Sequence, residues 1–231
     1  MNEQRKVLRH ELKYMLNERD YLWLRNKVAA LMPLDAHADS QSRGYHIRSL
    51  YYDDAYDSAL FEKVDGDPYR QKYRIRIYQL SDRYILLERK AKAAHCTVKD
   101  SARISREQCD RLLGGDYGVL HESPSPLLKD FYGAIVSRQL RPKVLVDYFR
   151  EAYTYPAGNV RVTFDLDIHS GQYAQDLFSG RLSSLPVLPC GQHVMEVKYD
   201  AFLPQPVQAL IQGMPGERIA VSKYVLCRRF H

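Results

Sequence analysis

The segment Tyr69-Arg70-Gln71-Lys72-Tyr73-Arg74-Ile75-Arg76-Ile77-Tyr78 alternates charge with apolar bulk. Side chains of a β-strand alternate between its two faces. Arg70, Lys72, Arg74, Arg76 and Tyr78 therefore share one face, and Tyr69, Gln71, Tyr73, Ile75 and Ile77 share the other. The apolar face suits a protein interior. The opposite face sets cations in a row, and their mutual repulsion calls for an anion such as phosphate. A half-exposed strand whose basic face meets water is the bland alternative.

The same alternation recurs along the chain. Val7–Met15 sets Arg9, Glu11 and Lys13 opposite Leu8, His10, Leu12 and Tyr14. Beyond the turn Ser81-Asp82, Arg83–Lys92 sets Glu88, Lys90 and Lys92 opposite Ile85 and Leu87, pairing back as a hairpin. His46–Tyr52, Lys143–Tyr153, Val160–Ile168 and Val194–Asp200 complete the expected strands. Arg161, Asp165 and Asp167 lie on the charged side of the third of these, and Glu196 and Lys198 on that of the fourth. Helices are expected over Glu18–Met32 behind an Asn17 N-cap, after the capping box Ser105–Gln108, from Ser125-Pro126 to about Leu140, and near Pro206–Gln212.

Composition narrows the class. With 231 residues, 45% hydrophobic, the chain is expected to be a single folded domain over 1–231. A formal charge of +6 favours an acidic partner: nucleic acid, nucleotide, polyphosphate or an anionic membrane. Four cysteines without a CxxC pair argue against a disulfide framework or zinc site, and eight histidines show no paired metal spacing. No secretory signal and no spanning apolar run is read, so a cytoplasmic location is expected.

Taken together, the strand faces carry many cations and a few carboxylates: Glu11, Glu88, Asp165, Asp167 and Glu196. Two sheets packed as a sandwich would leave these faces in water. If amphipathic helices cover the apolar faces instead, the expected fold is α+β. It would be an antiparallel β-barrel tunnel of about eight strands with a charged lumen. Two or three of the carboxylates would suit Mn²⁺ or Mg²⁺, hard cations that favour carboxylate and phosphate oxygens.

A series of ordered motifs then carries a family resemblance. They are Arg9-His-Glu11-Leu-Lys13-Tyr14, Ser49-Leu-Tyr51-Tyr52-Asp53, Arg70-Gln-Lys72-Tyr-Arg74-Ile-Arg76, Leu87-Glu88-Arg-Lys90, Val146-Asp-Tyr148-Phe-Arg150, Met195-Glu196-Val-Lys198-Tyr199 and Ser222-Lys223-Tyr224. From about Arg9 to Arg228 the chain resembles the VTC (vacuolar transporter chaperone) domain, a branch of the CYTH-like triphosphate tunnel enzymes. The resemblance implies a polyphosphate polymerase, a phosphotransferase using ATP or another nucleoside triphosphate with a Mn²⁺-type metal. By motif position Lys13, Arg74, Arg76, Lys90, Arg150, Arg161, Lys198 and Lys223 look like phosphate ligands, with Lys99 a further match. Arg9, Arg70 and Lys72 extend the substrate-binding set. Tyr148 and Ser222 look like neutral donors, and Glu196, with Glu11 and Glu88, like the metal end.

One departure stands out. The hydrolytic cousins carry Glu-x-Glu-x-Lys on the first strand, where this chain has Arg9, and the loss of a carboxylate favours transfer over hydrolysis. The eukaryotic relatives add an SPX domain and a membrane segment that are not read here, which leaves a separate membrane protein as a possible partner. A tripolyphosphatase or nucleoside triphosphatase using the same tunnel is the alternative enzyme, and a non-catalytic polyphosphate- or RNA-binding domain the alternative from another class. Nucleic acid is the less favoured ligand, because the tyrosines lie opposite most of the arginines.

Overall fold

A computed structural model describes residues 10–94, 96–214 and 216–229. In chain order the elements are β1 (His10–Asn17), α1 (Glu18–Leu31), β2 (Gly44–Asp53), α2 (Ser58–Val64), β3 (Tyr69–Tyr78), β4 (Ser81–Ala93) and β5 (Cys96–Ile104). There follow α3 (Arg106–Leu113), α4 (Gly118–His121), α5 (Pro126–Arg138), β6 (Arg141–Tyr155), β7 (Val160–Gly171), β8 (Ser184–Pro186), β9 (Gln192–Tyr199), α6 (Gln205–Gln212), β10 (Glu217–Arg218) and α7 (Lys223–Arg228). The class is α+β, with an antiparallel sheet of ten strands whose order ends at β10 and β5 and does not close among the described residues. The count exceeds the expected eight because β8 and β10 are only 3 and 2 residues long and because β5 carries little apolar signal. No helix among the described residues is long and apolar enough to cross a membrane.

The chain forms two compact units. The first comprises Met1–Tyr45, Tyr148–Ile168 and Leu188–Val221. Here β1 pairs with β9, and β9 with β7, in a register that places Leu12, Val197 and Val162 side by side, and Tyr14, Met195 and Phe164 likewise. That apolar face is covered by helices: Tyr21, Leu24 and Val28 of α1 and Val207 of α6 join its core. Asn17 caps α1 as expected, its side chain accepting the Asp20 amide at 2.9 Å. Gly44 is required at the edge of this unit, since a Cβ there would collide with the Arg150 carbonyl oxygen.

The second unit comprises His46–Asp147, His169–Val187 and Ser222–His231. Its strands pair in the order β2-β3-β4-β5. Leu50, Ile75 and Leu87 adjoin on one face, as do Tyr52 and Tyr73, and Ile85 and Ile104. Cys109 and Leu112 of α3, Val119 and Leu120 of α4, and Leu127, Leu128, Phe131 and Ile135 of α5 close over them. The expected capping box at Ser105 and Gln108 is present. Within each unit helices, rather than a second sheet, cover the apolar face, and the charged face lies opposite.

Two candidate phosphate-binding clusters

In the first unit the charged face is a lattice of ion pairs. The register sets Glu11 against Lys198 and Lys13 against Glu196. Lys13 Nζ lies 3.0 Å from Glu11 Oε1 and 3.4 Å from Glu196 Oε1, and donates to the Val221 carbonyl at 3.0 Å. Lys198 Nζ lies 2.8 Å from Glu196 Oε2. Desolvation lowers the Lys198 pKa against the raising pull of Glu196 and Glu11. On β6, Arg150 donates to both oxygens of Asp165 at 2.6 and 2.8 Å, and both residues are buried. Burial opposes the Arg150 charge, but Asp165 raises its pKa well above the ordinary value. The guanidinium sits 5.3 Å from the Tyr148 ring. Arg161 turns elsewhere, to Tyr45 Oη at 2.7 Å and Asp35 Oδ2 at 2.9 Å. Arg9 lies outside the described residues.

The second unit has a different balance. Pairing sets Tyr51 against Arg74 and Ser49 against Arg76 on one side of β3. On the other side Arg74 faces Glu88, Lys72 faces Lys90, and Arg70 faces Lys92; Lys90 in turn faces Lys99. Like charges directly opposite across strands repel. Glu88 answers several cations at once: Arg74 Nε is 2.6 Å away, Arg76 Nε 3.7 Å, and Lys99 Nζ is in contact. Burial would raise the Glu88 pKa, but Arg74, Arg76 and Lys99 bring it down to about 2. Arg76 also donates to Ser49 Oγ at 3.0 Å. Lys72 Nζ reaches Ser222 Oγ at 3.5 Å, just before Lys223 at the start of α7. Arg70 donates to the Asp67 carbonyl, and Lys90 is exposed.

The expected site residues thus fall into two groups, each gathered by the pairing of its own strands. Sequence reasoning assigned no role to Tyr51, whose Oη receives a 2.7 Å bond from Arg74 Nη1. It also left β5 unread as a strand, although its register extends the basic face through Lys99. The signal was present as polar alternation along Cys96–Ile104, but it lacked the aliphatic run that marks a buried strand.

Among the described residues no group of three or more His, Cys, Asp or Glu side chains is arranged to hold a metal. The donor set in the first unit nevertheless fits a hard cation. Glu11 and Glu196 both approach Lys13, and Thr163, in register with Glu196, keeps a buried hydroxyl with no hydrogen-bond partner. One or two carboxylates completed by phosphate oxygens is a usual arrangement for Mg²⁺.

An antiparallel α+β fold with basic strand faces defines the class. The same fold occurs in a candidate adenylate cyclase from Bacillus halodurans, at TM-score 0.50 and 12% identity, over 89% of this chain and 86% of that one. A protein of Pyrococcus horikoshii OT3 is similar at TM-score 0.47 and 14% identity, over 96% of this chain and 100% of that one. No curated protein matches in sequence. The VTC domain model matches residues 8–230, and the chain belongs to that family.

Proposed function

We propose that this VTC-domain protein is a metal-dependent polyphosphate polymerase, transferring the γ-phosphate of ATP to an inorganic polyphosphate chain. The observation that carries this reading is the basic face of β3, β4 and β5, where Arg74, Arg76 and Lys99 meet Glu88 and Lys72 and Lys90 face one another across the strands. The family match across 8–230 supports treating the chain as one functional domain.

Phosphoryl transfer depends mainly on positioning and on neutralising charge. Arg74 and Arg76 present planar donors suited to phosphate oxygens, and Arg70, Lys72, Lys90, Lys99 and Lys223 add point charge, with Ser222 a neutral donor. In the first unit Lys13, Lys198, Arg150 and Arg161 supply cations, with Tyr148 beside Arg150. Glu11 and Glu196 are the residues that would hold Mn²⁺ or Mg²⁺, which would draw charge from phosphate oxygens. Glu88 serves as the counterion that keeps Arg74, Arg76 and Lys99 aligned. The terminal oxygen of the acceptor chain is already an anion, so no side-chain base is required.

Purified protein incubated with ATP and Mn²⁺ should form long chains on a gel. Orthophosphate alone would instead assign the tunnel hydrolase, and retained chain formation under chelation would remove the metal from the reading. The separate membrane partner is tested by co-purification from detergent extracts, where recovery of this chain only in the soluble fraction counts against it.

A further inference from the structure

Tyr51 is an anomaly within the second unit. Its phenol is 4% exposed, yet three cations of β3 face it. Arg74 Nη1 donates to its Oη at 2.7 Å, Lys72 Nζ lies 5.5 Å from its ring centre, and Arg76 is the next cation along the same face. From α7, Tyr224 stacks on it at 5.0 Å, but the Tyr224 hydroxyl is turned away to Asp53. Across β3, the Glu88 carboxylate is already held by Arg74, Arg76 and Lys99. A hydroxyl that accepts from an arginine in such surroundings is well placed to give up its own proton.

We infer that Tyr51 is the resident, proton-dependent counter-charge of this basic face: a phenolate while no anion is bound, and a phenol once a phosphate chain takes its place among the cations. Burial alone would raise its pKa, but Arg74, Lys72 and Arg76 overcome burial and lower it to about 7. A polyanion arriving beside those groups cancels the potential that holds the phenolate and restores the proton. Nothing is oxidised or reduced; one proton moves from solvent to Tyr51 Oη. Binding and protonation are then linked. Above the phenol's midpoint, affinity for a phosphate chain falls by up to about tenfold per pH unit, because each binding event must first take up a proton. The inference rests on the phosphate-binding reading of this face and adds a pH-dependent control to it.

Near-ultraviolet absorbance of the phenolate reads Tyr51 directly, with inorganic tripolyphosphate as the probe. The expected result is a phenolate band that appears near neutrality in the free protein and disappears when tripolyphosphate is added just above the midpoint. In Tyr51→Phe the band is absent, and the steep loss of affinity with rising pH is gone. Tripolyphosphate that binds in calorimetry while the band stays unchanged overturns the inference and leaves the phosphate reading standing. Failure of tripolyphosphate to bind at any pH overturns both. If Tyr51→Phe does not fold, the wild-type titration decides alone: a first phenol titrating only near the ordinary value of about 10 refutes the proposal.

Discussion

The two charged faces are built from the same residue types and alternate in the same way, yet they are balanced differently. In the first unit Lys13, Lys198 and Arg150 each meet a carboxylate, from Glu11, Glu196 and Asp165, and Arg161 meets Asp35. In the second, Arg74, Arg76 and Lys99 share Glu88, while Lys72 and Lys90 oppose one another across the strands. A carboxylate beside each cation offsets part of the cost of taking both out of water, whereas like charges facing one another across strands repel. The difference lies in how the carboxylates are shared: nearly one to each cation in the first unit, one among three in the second.

That comparison predicts opposite consequences for similar substitutions. Arg150→Ala strands the Asp165 carboxylate in a buried site and should cost about 3–5 kcal/mol of stability, read as a large fall in Tm. Replacing both partners by apolar residues of similar volume should recover most of the loss; no recovery would mean that the pair holds more than its own charges. Arg74→Ala should leave the fold intact, because Glu88 keeps Arg76 and Lys99. It should lower ATP-dependent chain formation by about 10²–10³-fold, the usual effect of losing one well-placed donor. Glu196→Ala should match it in rate; retained activity in both variants would end the polymerase reading.

Smaller effects sharpen the contrast. Tripolyphosphate at a hundredfold excess over its Kd should stabilise the protein by about 2.7 kcal/mol, and less as salt is raised. Lys72→Ala should weaken that shift; an undiminished shift would place the anion elsewhere. The Glu88 carboxyl contributes stability in its ionised form, because its folded pKa of about 2 lies below the ordinary 4.5. That contribution is fully present above about pH 4.5 and is lost as the pH falls toward 2. Acid unfolding of Glu88→Gln should show a shallower slope across this window than the unmodified chain.

Much of this was legible in the residues alone. Strict alternation along Tyr69–Tyr78 and the matching segments determined the strands and which side of each carries charge, because the strand period of two leaves no other assignment. Asn17, the Ser105–Gln108 box and Pro126 marked helix starts through local bonds and a preset φ, within reach of a few residues. Pairing was not legible. That Tyr51 meets Arg74, that Asp165 meets Arg150, and that β5 continues the basic face all depend on register between segments distant in sequence. Charge sign and face are properties of one strand, but which charge meets which is a property of its neighbours, and only the tertiary structure chooses those.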